Sequence, residues 1–272
     1  MLQNADLHVH TTLSDGTFSP REVMAYASQI GLDCIAICDH DVVAGIKSAV
    51  EVSEKYRVEV IPGIEMTAET HGREVHILGF FVDWQDQAFI ERLQQLCQQR
   101  KERIYEMVDK LKGVGIRLYP IDVFRASGAG SVGRLHLATV MQQKGYVRTI
   151  REAFTKYIGD GKPCYVAKFG LTPEEAIKEI IRAKGIPVLA HPGIMLNDDA
   201  IFEYLEYGLR GIEVYHPEHA RAKVRHYETL AEKHNLLITG GSDCHGFGKG
   251  RILMGSIIVS YGLVEKLKNA RR

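Results

Sequence analysis

Short apolar runs alternate with amphipathic helical segments along most of this chain, and that alternation constrains its fold more than any other feature. Asp6–His10, Asp33–His40, Glu59–Ala68 and Arg73–Phe81 read as strands. Between the first two, Ser19-Pro20-Arg21-Glu22 forms a capping box with proline at the first helical position, and Gly31 stands where a helix-ending glycine belongs. A second helix is expected over about Gly45–Tyr56. The pattern returns later with a second capping box, Thr172-Pro173-Glu174-Glu175, opening a helix to about Lys184. Pro187–Pro192, Gly211–Pro217 and Leu236–His245 read as strands with helices between them, and Gly255–Val259 as a last strand before a C-terminal helix. Repeated strand–helix units predict an α/β chain with a parallel sheet and helices outside it. About seven or eight such units predict a barrel rather than an open sheet. The stretch between the two runs differs. It holds one long polar helix, Asp86–Leu111, then glycine-containing turns and shorter helices to about Tyr165. Residues 86–165 are therefore expected to form a small helical insertion (cap), with 1–85 and 166–272 as the barrel.

The charges balance: 34 Lys and Arg against 34 Asp and Glu in 272 residues. No bulk positive charge draws the molecule onto long duplex nucleic acid or an anionic membrane. No apolar run approaches the roughly 20 residues of a membrane helix. The five cysteines, Cys34, Cys38, Cys97, Cys164 and Cys244, are odd in number and lack paired spacing. That argues against a disulfide framework and a zinc finger, and for a reducing cytoplasm. The opening MLQNADLHVH has no signal-peptide pattern.

The 12 histidines are the unusual count. His8 and His10 end the first expected strand, His40 the second, His191 the Ala190–Pro192 segment and His245 the last long strand, while His76 lies on the fourth. Glu65 and Asp243 also sit at strand ends, and Asp15 lies in the loop after the first strand. In a strand–helix barrel, carboxyl ends of strands meet at one mouth. His8 and His10 are two apart, so both rings face the same side. One such pair alone is often satisfied by backbone; six histidines and three acids at a single mouth point to metal. The mixed nitrogen and oxygen set suits Zn, Mn or Fe. No Gly-x-Ser-x-Gly elbow or phosphate loop is present.

HVHTTLSDG, the Cys38-Asp39-His40 end of the second strand, Pro62-Gly63-Ile64-Glu65, Glu74-Val75-His76, Ala190-His191-Pro192 and Gly241-Ser242-Asp243-Cys244-His245 together resemble the PHP (polymerase and histidinol phosphatase) family. The likeness spans nearly the whole chain. With Arg134-Leu135-His136 in the insertion, it is most similar to the stand-alone phosphoesterases, including nucleoside 3′,5′-bisphosphate phosphatases and 5′–3′ exoribonucleases acting on short RNA. The resemblance implies a distorted seven-stranded (β/α) TIM-like PHP barrel with three divalent metals. One would be held by His8, His10, Glu65 and Asp243, a second by Glu65, His76 and His191, and a third by Asp15, His40 and His245. Aspartate at position 15 favours Mn, with Fe or Zn as alternatives. Two metals roughly 3.5–4 Å apart acidify a bridging water and clamp phosphoryl oxygens.

Small phosphorylated substrates, nucleotides or short RNA 5′ ends, follow as the expected partners. Histidinol phosphate, a metal amidohydrolase reaction and a catalytically decayed metal-binding module are the alternatives. Arg134, Arg100, Arg103, His136 and Lys168 are candidate substrate contacts; the alternatives are a surface salt bridge for Arg134, a solvated face of the long helix for Arg100 and Arg103, a helix cap for His136 and an ordinary loop position for Lys168. His216, ending the sixth strand, is a possible proton or substrate group, with His219 a weaker version. His71, His226 and His234 are expected at the surface. Cys244, between two candidate ligands, should point away.

Overall fold

The computed structural model describes residues 3–167, 170–194 and 198–271. β1 (Asn4–Val9), α1 (Pro20–Gln29), β2 (Cys34–Ile37), α2 (Ala44–Val50), α3 (Ser53–Tyr56) and β3 (Glu59–Thr70) follow the expected alternation. β4 (Arg73–Phe80) comes next, then α4 (Gln87–Gly113), α5 (Pro120–Ser127), α6 (Arg134–Gln143) and α7 (Ile150–Ala153). After these come α8 (Pro173–Arg182), β5 (Ile186–Leu189), α9 (Asp199–Tyr207), β6 (Gly211–Tyr215), α10 (Arg221–Lys233), β7 (Leu237–Gly240), β8 (Val259–Ser260) and α11 (Tyr261–Asn269). Both capping boxes form: the Ser19 and Thr172 hydroxyls accept the amides of Glu22 and Glu175, and those carboxylates accept the cap amides. Gly31 ends α1 at φ 77°.

The strands make one sheet in the order β7-β6-β5-β4-β3-β2-β1-β8. An all-parallel sheet was the expectation, and β4 breaks it by running antiparallel to both β3 and β5. The cause is local. Only His71 and Gly72 join β3 to β4, both with positive φ (50° and 73°), the backbone of a tight hairpin that leaves no room for a crossover helix. The last long strand is also shorter than expected: β7 stops at Gly240, and Asp243 turns at φ 48°. Likewise only Val259–Ser260 of the final apolar run pairs, antiparallel to β1.

The barrel closes beyond β7. The His10 amide donates to the Cys244 carbonyl at 2.9 Å, and Cys244 bridges Val9 in parallel register. Gly241 permits that seam, because a Cβ there would collide with the Cβ and amide of His8.

A large cluster packs Ile46, Ile177, Ile180, Ile201 and Tyr227 from the surrounding helices against Ile64, Met66, Ile77 and Val214 of the sheet. The first half of α4 joins it through Phe89, Leu93 and Leu96, with Trp84 alongside. The second half, through Ile104, Met107 and Leu111, belongs to a separate core shared with α5 and α6. Arg100 sits at the junction, buried. Its Nε donates to Asp41 at 2.7 Å, Nη1 to the Val132 carbonyl at 3.2 Å, and Nη2 to Thr67 at 2.5 Å. Asp41 in turn accepts the Thr67 amide on β3 at 2.8 Å.

Arg100→Met keeps the aliphatic stem but leaves the fully buried Asp41 carboxylate without its arginine. We expect a loss of about 3–5 kcal/mol, measured as a lower midpoint in chemical denaturation, and partial recovery when Asp41→Asn is added. An unchanged midpoint would dismiss this pair as the anchor of α4.

Candidate metal centre

The seam, the hairpin and the strand ends bring nine side chains to one mouth. His8 and His10 project together from β1, where a register shift between Asp6 and Val9 marks a bulge. Their Nε2 atoms lie 3.2 Å apart. Both face Glu65 Oε2, at 3.3 and 3.1 Å, and His40 Nδ1 meets the same oxygen at 3.2 Å. The other oxygen of Glu65 faces His76 Nδ1 at 2.8 Å and His191 Nε2 at 3.0 Å. Asp243 Oδ1 lies 3.1 Å from His10 Nε2, and Asp15 Oδ1 lies 3.2 Å from His245 Nε2. His76 reaches the mouth because β4 runs backwards: its early half lies where its neighbours' carboxyl ends are.

Three overlapping groups have donor atoms within 4.8 Å of one another: His8, His10, Glu65 and Asp243; His10, Asp15, His40 and His245; and His40, Glu65 and His76. His191 joins through its contact with Glu65. The donor set fits divalent cations on two counts. Ring nitrogens face each other at 3.2 Å (His8, His10) and 3.3 Å (His76, His191). Asp15 Oδ1 and His40 Nδ1 are buried without a hydrogen-bond partner.

Burial raises a carboxyl pKa and lowers that of an imidazole. At Glu65 burial is overcome by His40, His76 and His8, which hold it well below the carboxylate range. Asp15 and Asp243 are held down in the same way, by His245 and His40 and by Lys249 and His245. Burial prevails at His40, which falls to about 3, and at His191 and His245. At His8, His10 and His76 it does not: Glu213, Glu65 and Asp243 hold His8 well above the usual imidazole range, and neighbouring carboxylates lift His10 and His76 to about 9.

Several positioning groups escaped the sequence reading. Glu213 accepts from His8 Nδ1 at 3.0 Å and from the His191 amide at 2.8 Å. It thereby turns His8 Nε2 toward the mouth and clamps His191, whose φ is 29°. Its signal was an acid inside the otherwise apolar Gly211–Tyr215 strand. Asp39 accepts from the Thr11 amide, the Thr11 hydroxyl and the Ser14 hydroxyl at 2.6–2.7 Å, fixing the turn that carries Asp15. Glu74, two residues before His76, lies 3.1 Å from His76 Nε2, 2.9 Å from Arg103 Nη1 and 3.2 Å from Arg134 Nη2.

The candidate substrate contacts divide. Arg100 is buried rather than solvated, and each of its three nitrogens donates to a protein group. Arg103 and Arg134 lie side by side on Glu74, each over the Tyr165 ring, and Arg134 also binds Asp160 at 2.6 Å. His136 caps α6, its Nδ1 accepting the Gly133 amide at 3.0 Å. Lys168 lies outside the described residues. His216 is buried beside Asp243. His219 is satisfied by the Val214 carbonyl and the Gly193 amide. His226 is exposed and paired with Asp198. Cys244 is buried, on the apolar side with Val9 and Met24.

Two outcomes follow. An imidazole ligates only as the neutral base, so metal uptake at pH 7 must expel the protons on His8, His10 and His76. Calorimetry in buffers of differing ionisation heat should record about three protons released, and affinity should fall as pH is lowered from 9. Glu213→Ala should weaken metal binding by about 10–100-fold; an unaltered affinity would deny Glu213 its positioning role.

Residues 6–238 match the PHP domain. The chain is 33% identical over 252 residues to a phosphoribosyl 1,2-cyclic phosphate 1,2-diphosphodiesterase of Eggerthella lenta, covering 90% of this chain and 95% of the relative. It is 30% identical to a 3′,5′-nucleoside bisphosphate phosphatase of Chromobacterium violaceum, covering 92% and 90%. A 5′-3′ exoribonuclease of Haemophilus influenzae is 32% identical, covering 95% and 98%. Among solved structures, a candidate metal-dependent phosphoesterase of Bifidobacterium adolescentis superposes with a TM-score of 0.89 at 30% identity, covering 98% and 96%. A Chromobacterium violaceum protein described as an amidohydrolase, with bound sulfate and no metal, gives 0.86 at 29% identity, covering 94% and 91%. With the donor cluster at the mouth of an α/β barrel, these likenesses show that the chain belongs to the PHP family and is a metal-dependent phosphoesterase, a hydrolase of phosphoric ester bonds.

Proposed function

We propose that this chain hydrolyses phosphate monoesters of small nucleotides, nucleoside 3′,5′-bisphosphates or the 5′ ends of short RNA, using three divalent ions with Mn favoured over Fe or Zn. His8, His10, Glu65 and Asp243 would hold one ion, Glu65, His76 and His191 a second, and Asp15, His40 and His245 the third. The observation that carries this reading is the shared position of Glu65, with one oxygen toward His8, His10 and His40 and the other toward His76 and His191. Bound ions would supply an acidified water and neutralise charge growing on phosphoryl oxygens. Water oxygen adds to phosphorus, the ester oxygen departs, and a proton ends on that leaving oxygen.

Arg103 and Arg134 support an anionic substrate. Arg103 keeps Nη2 buried and without a hydrogen-bond partner, and guanidinium nitrogens favour phosphate oxygens. Both arginines come from the 86–165 segment, which we read as a cap over the barrel mouth. Lys168, from the following stretch, is kept as a further phosphate contact. Two of the relatives above are named for a nucleoside bisphosphate and for RNA, which supports the nucleotide class, and the third is named for a phosphoribosyl cyclic phosphate, which is why a cyclic diester belongs in the test. The balanced charge favours small esters over long duplexes. Five free cysteines support a reducing, cytoplasmic setting. Among the described residues no helix is long and apolar enough to cross a membrane.

The test is hydrolysis by metal-loaded protein of adenosine 3′,5′-bisphosphate, 5′-phosphorylated short RNA, a ribose cyclic phosphate diester and histidinol phosphate, read as phosphate release for the monoesters and as chromatographic separation of the products for the RNA and the cyclic diester. The first two should be turned over fastest. Equal rates on histidinol phosphate, or faster cleavage of the cyclic diester, would overturn the nucleotide monoester assignment. Glu65→Gln should lower kcat by on the order of a hundredfold or more, because the amide replaces a shared acceptor with a donor.

A further inference from the structure

Asp243 has two carboxylate oxygens in different company. Oδ1 faces the donor cluster, 3.1 Å from His10 Nε2 and 3.4 Å from His245 Nδ1. Oδ2 faces away from it, toward two other groups. Lys249 Nζ lies 2.6 Å from Oδ2, and His216 Nε2 lies 3.6 Å away, beyond a hydrogen bond. His216 is 3% exposed, and its Nε2 has no hydrogen-bond partner.

The tautomer of His216 follows from its other nitrogen. Nδ1 lies 3.2 Å from the Glu218 amide and accepts its hydrogen. A neutral ring that accepts at Nδ1 carries its proton on Nε2. His216 therefore presents an N–H to the mouth where His8 and His191 present lone pairs, so it is unsuited to ligate metal through that nitrogen. Lys249 brings a second set of N–H donors to the same oxygen. It sits between Gly248 and Gly250, the latter at φ 88°, on the segment that follows His245.

Charge decides what these two donors are for. With divalent ions among the nine ligands, a lysine ammonium at the edge of the same cluster meets like charge. Asp243 is its ion-pair partner among the described residues, and that carboxylate would be shared with the ions. An anion beside Oδ2 relieves the repulsion and satisfies His216 Nε2 as well. A phosphoryl group has oxygens for both donors.

We propose that Lys249 and His216 form a substrate-binding donor pair that takes a phosphoryl oxygen beside the outer edge of Asp243. The inference rests on the metal-dependent reading above, and neither residue is a ligand in it. Lys249 supplies charge and His216 a fixed direction, so together they orient the phosphoryl group against the ions.

The test is calorimetric titration of inorganic phosphate into metal-loaded protein, with metal content measured on the same samples. Lys249→Met and His216→Phe should each raise the phosphate Kd about tenfold with metal content unchanged. Lys249→Arg should restore most of the affinity. Lys249 is partly exposed on a loop, so its variants keep the test readable even where His216→Phe fails to fold. Unchanged phosphate affinity in Lys249→Met overturns the proposal. Loss of metal together with phosphate overturns it too, since the lysine would then act only by holding Asp243. If the loaded wild-type protein binds no phosphate, the parent reading of the site falls, and this one with it.

Discussion

Lone pairs from six imidazoles and three carboxylates converge on a volume with Glu65 at its centre, and the rest of the molecule is organised to tolerate that convergence. Without cations the arrangement is costly. Two ring-nitrogen pairs face each other, buried acceptors stay unpaired, and two of the participating residues, His191 and Asp243, hold positive φ at 29° and 48°. Strain of that kind costs about 1–3 kcal/mol per residue and persists only where surrounding structure overdetermines it. Here the determinants are Glu213 behind His8 and His191, Asp39 behind the Asp15 turn, and the seam that locks Cys244 to β1. Cations that bind only the folded arrangement would return this cost as stability.

The reversal of β4 has a consequence beyond topology. In a strand running with its neighbours, His76 would lie well short of the mouth. Running backwards, β4 brings both His76 and Glu74 there, on the same side because they are two apart. His76 uses one nitrogen on Glu65 and the other on Glu74, and Glu74 holds Arg103 of α4 and Arg134 of α6. A continuous polar chain thus runs from the central carboxylate to the helical segment 86–165. Arg100 and Asp41 make a second tie between the same parts. The helices beyond β4 are therefore coupled to the site by charge as well as by packing.

Local chemistry was legible in the sequence, and distant chemistry was not. The capping boxes at Ser19 and Thr172 involve residues three apart, and their spacing sufficed. The strand-end histidines could be placed because alternation located the strand ends. The reversal of β4 has a local signal, His71-Gly72 between two alternating runs, which is a hairpin turn and overrides the parallel pattern of the other strands. Arg100 looked like part of a solvated charged face because its partner Asp41 lies 59 positions away. Glu213 and His8 are 205 positions apart, and no periodicity relates them. What sequence reading misses at this site is the layer behind the candidate ligands, whose members find one another only after the barrel closes.

That hidden layer also bears on substrate choice. The arginines nearest the mouth are largely neutralised by the protein itself: Arg100 by Asp41, Arg103 by Glu74, and Arg134 by Glu74 and Asp160. The mouth itself holds Glu65, Asp15 and Asp243, all kept ionised by their surroundings. Before cations bind, the raised pKa values of His8, His10 and His76 offset these three carboxylates, so a phosphate ester meets little net charge at the centre and little free positive charge at the rim. Divalent ions, displacing those protons, would supply the positive charge that a phosphoryl group needs. A chain of zero formal charge thus needs no basic surface to attract phosphate, and its affinity for substrate depends on metal occupancy rather than on bulk electrostatics.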